Sequence, residues 1–319
     1  MHVRIVGNWS SPDLLRQSPG GRGEWAGVRF STRPDEAADF VLVLNTVVEK
    51  TAVVCPPEHV WAVMQEPFVP GVFDWMVEGH RRYARVYTHH LFSEKPKYFR
   101  SHPAVPWHVD RTYDQLVGMK TPDKTRAISW ITSDKRVFPG HRLRMRFVDH
   151  IRNLPSRDID LFGRGIDAIG DKWDGLAPYR YSLAVENGSH DDYWTEKIAD
   201  CFLAWTLPFY YGCSNLEAYF PERSFIRIDI EKPDEALKII REAVRNDEWG
   251  RRFDAICEAR ERYLQELQFF PLFSRRIREA FRNRNPRPLL LEPYRRSPFR
   301  FISLKARRAK ARLKRLLAS

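Results

Sequence analysis

The chain has 319 residues, of which 43% are hydrophobic and 13% aromatic, so it can bury a sizeable core in about two domains. No run approaches the roughly 18 to 20 apolar residues of a membrane-spanning helix, and the first residues lack the basic and apolar regions of a secretory signal peptide. The four cysteines have no metal-ligand spacing, which favours buried thiols in a reducing, cytoplasmic compartment.

The net charge of +12 is unevenly distributed along the chain. No acidic residue follows Glu292, whereas ten lysines and arginines do, so the first 292 residues carry a net charge of only +2. The body of the protein is therefore close to neutral, and the basic character belongs to a tail over residues 293–319.

The N-terminal part of the chain alternates short apolar segments with polar ones, which predicts an α/β domain over residues 1–123. The segment 39–44, DFVLVL, has the continuous apolar character of a buried parallel strand. The other predicted strands and apolar runs cover residues 2–6, 52–55, 60–64 and 85–87. Residues 101–124 are rich in Pro, His and Trp and lack periodicity, so we place the domain boundary at their end.

Strands and helices alternate more clearly in the second half, which predicts a Rossmann-like parallel sheet over residues 124–292. The predicted strands cover residues 126–132, 158–162, 181–185 and 207–211. The predicted helices cover residues 141–153, 195–205, 233–244, 249–267 and 273–281.

One unit of this second domain, residues 186–229, joins a polar loop, a helix, a strand and a second loop, with charged residues at the start of the helix. Such a place in an α/β protein is where phosphorylated ligands bind. The unit contains, in order, Glu186-Asn187, the run from Tyr193 to Lys197 (YWTEK), Leu207-Pro208, Gly212, Ser214 and Asn215.

This series resembles the signature of glycosyltransferase family 10, the α1,3-fucosyltransferases, in a bacterial-type member. The match is specific because five elements occur in the same order, with Ser214-Asn215 counted as one, whereas an isolated Thr-Glu-Lys would carry no information. The chain departs from better-known members at Cys213 and at Asp191-Asp192. The resemblance implies a GT-B fold, in which two Rossmann-like domains face a cleft, here followed by a basic amphipathic tail.

The resemblance also implies an inverting transfer of L-fucose from GDP-fucose to a glycan hydroxyl. That reaction needs a base for the acceptor hydroxyl and positive groups for the departing diphosphate. Lys197 is the first candidate for the diphosphate because it lies at the start of an apolar helix. The resemblance assigns Arg144 to the same task. Arg142 and Arg146 are alternatives in register, and a solvated helix face is the structural alternative for Arg144.

Four more residues match donor-binding positions of the family. Glu186 and Asn187 follow a predicted strand, where ligands of α/β sheets bind, although Asn187 also suits a structural cap. Tyr193 and Glu196 belong to the loop and helix start, and Glu196 would also complement the helix dipole as an ordinary first-turn residue.

The resemblance places the catalytic base in the first domain, across the cleft. Glu66 directly follows the apolar run 60–64 and precedes Pro67, which matches the position of the family's base. A surface glutamate in a loop is the alternative interpretation of Glu66.

No metal cofactor is expected, since basic side chains take the place of a metal ion in this family. The one Asp-x-Asp pair, Asp158 and Asp160, alternates within a predicted strand. Four histidines cluster loosely in sequence without Cys partners or helical spacing, namely His89, His90, His102 and His108.

The basic tail has the pattern of a cationic amphipathic helix, with apolar residues at spacings of three and four from Ile302 to Leu316. This pattern favours an anchor on an anionic membrane surface over a solvated tail or a nucleic-acid patch. The expected location is therefore peripheral, at the inner membrane surface, with a lipid-linked or lipopolysaccharide-type glycan as acceptor. Two rival functions stay open: a transferase for another nucleotide sugar, and a non-catalytic glycan- or nucleotide-binding protein on a degenerate scaffold.

Overall fold

The computed structural model describes residues 1–9, 12–34, 37–155 and 158–295. Its strands are β1 (His2–Gly7), β2 (Glu24–Trp25), β3 (Val28–Ser31), β4 (Phe40–Leu44), β5 (Thr51–Cys55), β6 (Val60–Val63), β7 (Arg85–Thr88), β8 (Tyr98–Arg100), β9 (Arg126–Ile131), β10 (Asp160–Phe162), β11 (Tyr179–Val185), β12 (Leu207–Tyr211), β13 (Ile226–Arg227) and β14 (Arg287–Leu291). Its helices are α1 (Tyr113–Gly118), α2 (Pro139–Arg152), α3 (Glu196–Leu203), α4 (Pro233–Arg245), α5 (Glu248–Arg251), α6 (Phe253–Arg262) and α7 (Phe269–Ala280), with a π-helical turn at Tyr263–Leu267.

The first sheet has seven strands in the order β2-β3-β1-β4-β6-β7-β8, and its pairs are parallel except for β2 with β3. Strand β4 is buried along its whole length, as its continuous apolar sequence predicts for a strand covered on both faces. The predicted strands of this domain are confirmed, although β5 leaves the main sheet and pairs with β14.

The second sheet has five parallel strands in the order β10-β9-β11-β12-β13. Helix α2 connects β9 with β10, and α3 connects β11 with β12, so the predicted β/α alternation is confirmed. Helix α2 begins with Pro139 and buries Met145, Val148 and Ile151 on one face, which fixes it against the sheet.

The division between the domains differs from the predicted ranges at both ends. Trp107 and Leu116 belong to the core of the second domain, although they precede residue 124. Helix α7 returns to the first domain, where Phe273 and Ile277 share a core with Phe30, and β14 then pairs with β5. The sequence shows that α7 is amphipathic, but it does not show which domain covers its apolar face.

Residues 296–319, which hold most of the predicted basic tail and its amphipathic helix, lie outside the described residues. Within the ranges that are described, no helix combines the length and the hydropathy that a membrane span requires.

Candidate active site

A cleft of about 360 Å³ opens at the carboxyl ends of strands from both sheets. This is the edge at which parallel α/β sheets bind ligands. A larger hollow of about 690 Å³ lies against the amino end of β1, beside Trp25 and Tyr113, away from these strand ends. The residues that line the cleft include Asn45, Gln65 and Glu66 from the first domain, His108 from the connecting segment, and Lys135, Asn187, Tyr193, Thr195, Glu196 and Lys197 from the second.

Lys197 lies in the cleft as a fixed cation in the first turn of α3. Its Nζ is 3.2 Å from Glu186 Oε2 and 3.3 Å from Glu196 Oε1, and it donates a hydrogen bond to Thr195 Oγ1 at 3.0 Å. Burial alone would lower the pKa of Lys197, but the two carboxylates raise it above its ordinary value. Lys197 therefore keeps its positive charge.

Glu186 holds this arrangement from behind the cleft. Its side chain is fully buried and accepts hydrogen bonds from the Thr195 backbone N–H and hydroxyl group, each at about 2.8 to 2.9 Å. Gly212 makes room for it: its φ is +153°, and a Cβ there would lie 2.5 Å from Glu186 Cγ. The structure thus differs from the predicted donor contact, because Glu186 orients Lys197 and Thr195 and does not line the cleft.

Arg144 is buried on α2, whereas Arg142 and Arg146 are exposed. Of the three arginines considered from the sequence, Arg144 is therefore the one whose guanidinium points into the protein. Arg144 donates hydrogen bonds to Asn187 Oδ1 at 2.6 Å and to Ser133 Oγ at 3.3 Å. It lies behind Asn187, which lines the cleft. In this structure, Arg144 positions Asn187 and lies one layer from the cleft surface.

Glu196 is surrounded by positive or polar groups. Its Oε1 lies 3.3 Å from Lys197 Nζ, 3.6 Å from Lys172 Nζ and 3.8 Å from His108 Nδ1. Burial alone would raise the pKa of Glu196, but Lys197, His108 and Lys172 together hold it well below its ordinary value. Glu196 is therefore ionised, and it links the helix start to the segment that connects the domains.

Tyr193 is buried at the back of the cleft, where its ring packs on His89 with ring centroids 4.8 Å apart. Burial, followed by the charges of Glu186, Glu196 and Glu66, raises its pKa well above the ordinary value. The phenol is therefore neutral and offers a hydrogen-bond donor and acceptor to a ligand.

Glu66 is exposed to solvent in the cleft, directly after β6. Its neighbour Gln65 is buried and well held, because its backbone N–H donates to Asn45 Oδ1 at 2.8 Å and its side chain accepts from Trp9 Nε1 at 3.0 Å. Desolvation by the surrounding protein raises the pKa of Glu66 above its ordinary value, and Glu196 adds to that shift, while Lys197 and Lys135 oppose it. A carboxylate at this place in the cleft, with a raised pKa, can accept a proton from a ligand, and the assignment of Glu66 as the base stays a prediction.

The loop between β11 and α3 is fastened across the domains by Asp192. Its carboxylate accepts hydrogen bonds from Tyr219 at 2.6 Å, from Asn215 at 2.9 Å and from Arg100 of the first domain at 3.1 Å. Asn215 Oδ1 also accepts the Asp192 backbone N–H at 2.7 Å. These contacts explain the Asn215 of the motif and one of the two aspartates that precede Tyr193.

Sequence reasoning missed four polar residues of the cleft. Asn45, Gln65 and Lys135 follow β4, β6 and β9, so the rule that ligands bind at strand ends points to all three of them. His108 lies in the aperiodic segment before the second domain, and no pattern in the sequence distinguishes it.

The Asp-x-Asp pair lies away from the cleft: Asp160 begins β10, the edge strand of the second sheet, and Asp158 precedes that strand. Asp160 accepts hydrogen bonds from Tyr179 at 2.7 Å and from Arg126 at 3.3 Å. Across the described parts of the chain, no group of three His, Cys, Asp or Glu side chains is arranged to hold a metal ion.

Comparison with known proteins gives one family and several relatives. Residues 121–255 match the family described as glycosyltransferase family 10 (fucosyltransferase), C-terminal part. Rat alpha-(1,3)-fucosyltransferase 4 is 27% identical over 245 residues, which cover 68% of this chain and 51% of that protein. Mouse 4-galactosyl-N-acetylglucosaminide 3-alpha-L-fucosyltransferase 9 is 30% identical over 167 residues, which cover 50% of this chain and 45% of that protein. The chain therefore spans about half the length of the curated relatives it matches.

A crystal structure of an alpha1,3-fucosyltransferase superposes with a TM-score of 0.50 at 13% identity and covers 85% of this chain and 91% of that one. This similarity concerns the fold, and it confirms the predicted GT-B arrangement of two α/β domains. The matched range 121–255 contains Arg144 and the residues from Glu186 to Lys197, whereas Glu66 lies outside it.

Proposed function

The chain carries the C-terminal domain of glycosyltransferase family 10, and from this premise we propose that its cleft transfers L-fucose from GDP-fucose to a hydroxyl group of a glycan. One observation carries the proposal. Glu66 of the first domain and Tyr193, Glu196 and Lys197 of the matched domain line a single cleft. A single displacement at a sugar carbon requires a base at the acceptor hydroxyl and positive charge at the leaving group, and this cleft offers a carboxylate from one domain and a lysine from the other.

In the proposed step, Glu66 takes the proton of the acceptor hydroxyl while that oxygen attacks C1 of the donor sugar. The bond from C1 to the diphosphate oxygen breaks, and its electron pair leaves with GDP. Attack on the face opposite the leaving group inverts the anomeric centre, so a β-linked donor gives an α-fucoside. The raised pKa of Glu66 supports this role, because a more basic carboxylate accepts the proton more readily.

The leaving diphosphate gains negative charge as the bond breaks, and Lys197, one of two lysines that line the cleft, lies at the start of α3 where it can balance that charge. Glu186 and Glu196 balance the charge of Lys197 within the protein. Lys172 lies 3.6 Å from Glu196 and shares that carboxylate. Lys172 also pairs with Asp200 at 2.9 Å, so the two lysines face three carboxylates. The donor diphosphate would therefore compete with Glu186 and Glu196 for the charge of Lys197.

Asn187, Tyr193 and Glu196 are the proposed direct contacts of the donor in the second domain, since each of them lines the cleft. Arg144 acts through Asn187, to which it donates a hydrogen bond at 2.6 Å. A direct reach of Arg144 to the diphosphate would require Asn187 to move when the donor binds.

A thermal-shift screen against GDP, UDP, ADP, CDP and GDP-fucose tests the proposal, since a ligand that binds the folded state raises the unfolding midpoint. Stabilisation by GDP and GDP-fucose alone supports it. Stabilisation by UDP or another nucleotide keeps the transferase class and discards fucose. GDP-fucose binding without turnover on any glycan favours the rival function, a non-catalytic binding protein on a degenerate scaffold.

We also propose that no divalent metal is needed, because Lys197 supplies a cation at the leaving group. The screen and the turnover assay are run with EDTA and again with Mn²⁺. Activity that requires Mn²⁺ would overturn this part of the proposal and leave the transferase assignment in place.

The tail supports a peripheral location at the inner membrane surface and a lipid-linked or lipopolysaccharide-type acceptor, because ten of its residues are basic and none is acidic. Co-sedimentation with anionic vesicles compares the full chain with a chain that ends at Tyr294. Equal binding of both to the vesicles would contradict the membrane proposal. Stronger binding of the full chain to a DNA duplex than to the vesicles would favour the nucleic-acid alternative instead.

A further inference from the structure

His108 lies on the wall of the cleft, between the two domains, and the proposed reaction gives it no task. Its backbone is fixed to the donor side of the cleft, because its N–H donates to Asp200 Oδ1 at 2.9 Å. Asp200 lies one turn after Glu196 on α3 and is 1% exposed, and its other oxygen accepts from Lys172 Nζ at 2.9 Å. A buried ion pair thus sets the position of His108 relative to Glu196 and Lys197.

The imidazole ring of His108 has unused hydrogen-bonding capacity. Its Nδ1 lies 3.8 Å from Glu196 Oε1, which is too long for a hydrogen bond. Among residues 1–9, 12–34, 37–155 and 158–295, no protein group forms a hydrogen bond with either ring nitrogen. The side chain is 37% exposed and lines the cleft, so a ligand that enters can reach it.

The charges around the ring come from every element that packs near it. Glu196 and Asp200 belong to α3, Lys197 belongs to the same helix, and Lys172 comes from the turn before β11. Burial lowers the pKa of His108, the two lysines add to that effect, and the carboxylates oppose it. A neutral imidazole has one N–H donor and one acceptor nitrogen, which suits a hydroxyl group better than a phosphate.

We propose that His108 forms a hydrogen bond with a hydroxyl group of the sugar that GDP carries, and that it thereby selects the donor sugar. The inference rests on the proposed function. Lys197 holds the diphosphate and Glu66 faces the acceptor, so the reacting sugar lies between them, in the same cleft as His108. A hydrogen bond from a rigid ring rejects sugars that do not present a hydroxyl at that position.

The test compares the affinities of the full chain for GDP and for GDP-fucose by titration calorimetry, in wild type and in three variants. His108→Leu removes the ring nitrogens, and His108→Gln keeps a donor and an acceptor. His150→Leu is the matched control, because His150 has a similarly exposed side chain but lies on α2, away from the cleft lining.

We expect His108→Leu to leave GDP affinity unchanged and to weaken GDP-fucose binding by about 10-fold, the effect of one lost hydrogen bond. His108→Gln should recover most of that loss, and His150→Leu should match wild type for both ligands. Thermal unfolding of each variant verifies that it folds.

Two results would overturn the inference. If His108→Leu loses affinity for GDP and for GDP-fucose equally, His108 contacts the nucleotide or has a structural role. Unchanged donor affinity with a raised KM for the acceptor would assign it to the acceptor. Failure of the proposed function gives a different result, because wild type itself would then show no preference for GDP and GDP-fucose over the other nucleotides of the thermal-shift screen.

Discussion

The two sides of the cleft, which we propose bind the donor and the acceptor, are built in different ways. On the donor side, Lys197, Glu186, Thr195 and Glu196 contact one another at 2.8 to 3.3 Å. On the acceptor side, Glu66 is exposed, and what holds it is the hydrogen bonding of its neighbour Gln65. The donor side is thus a network of charged groups that hold one another in place, whereas the acceptor side offers one carboxylate on an open wall.

This difference agrees with what we propose that each side binds. A diphosphate has a fixed charge and shape, so charged groups that are locked in place bind it without paying for reordering. A glycan acceptor is large and mostly neutral, and the reaction requires only that one of its hydroxyl groups reach the base. Damage to the donor side should therefore weaken both stability and nucleotide binding, whereas damage to the acceptor side should affect turnover alone.

The largest expected effect on the donor side comes from Lys197→Met. Turnover should fall by about 10²–10³-fold, because the leaving group loses its cation. Stability should fall by about 3–5 kcal/mol, because Glu186 is left buried without its ion-pair partner. Kinetics and urea unfolding measure the two losses.

The double variant Lys197→Met with Glu186→Gln separates the two effects. A neutral Gln no longer needs an ion-pair partner, so the double variant should recover stability without recovering turnover or GDP affinity. Lys238→Met, at an exposed position of α4, should behave as wild type. Full activity of the double variant would show that Lys197 has a structural role only.

A smaller effect is expected from Gly212→Ala, which tests the packing that holds Glu186. The new methyl group would meet Glu186 Cγ at 2.5 Å, and the φ of +153° is unfavourable for alanine. We expect a loss of about 1–3 kcal/mol in the free energy of unfolding, together with weaker GDP binding. Gly170→Ala, where a Cβ would meet no atom within 4 Å, is the control. Equal stability of both variants would contradict the packing argument.

The smallest effect concerns Asp192, which joins the donor loop to the first domain. Burial would raise its pKa, but hydrogen bonds from Tyr219, Asn215 and Arg100 lower it below the ordinary value. Because the pKa of Asp192 is lower in the folded state than in the unfolded state, its ionised carboxylate stabilises the fold at any pH above the unfolded-state pKa. This stabilisation is lost as the pH falls through the folded-state pKa.

Thermal unfolding of wild type and Asp192→Asn from pH 7 to pH 2.5 measures this contribution. The stability advantage of wild type should be largest near neutral pH and should shrink below about pH 4. The exposed Asp123→Asn should show no such pH-dependent difference. An advantage that persists unchanged at pH 2.5 would mean that the ionised form of Asp192 does not stabilise the protein.

The contrast between the two sides also explains which parts of the site could be predicted from the sequence. The residues from Glu186 to Lys197 are close in sequence, and the β/α order alone brings a strand end and a helix start together. A cluster of functional side chains at that place was therefore predictable. The inward direction of the Glu186 side chain was not predictable, because it depends on the space that Gly212 leaves, 26 residues later in the chain.

Long-range packing accounts for the remaining differences. Helix α7 has an apolar stripe that the sequence shows, but its contact with Phe30 depends on the whole chain having folded. His108 lies in a segment without periodicity and reaches the cleft through its backbone bond to Asp200. A hydrogen bond from a backbone N–H is independent of residue type, so it leaves no trace in the sequence.

The most direct test of the account is a paired measurement on Glu66→Gln, with Glu94→Gln as an exposed control in the same domain. Calorimetry gives the affinity for GDP, and a turnover assay follows fucose transfer from GDP-fucose to glycan acceptors. The account predicts unchanged GDP affinity with turnover reduced by at least about 100-fold, as expected for loss of a general base. Full turnover by Glu66→Gln would contradict the assignment of the base and, with it, the division of work between the two sides of the cleft.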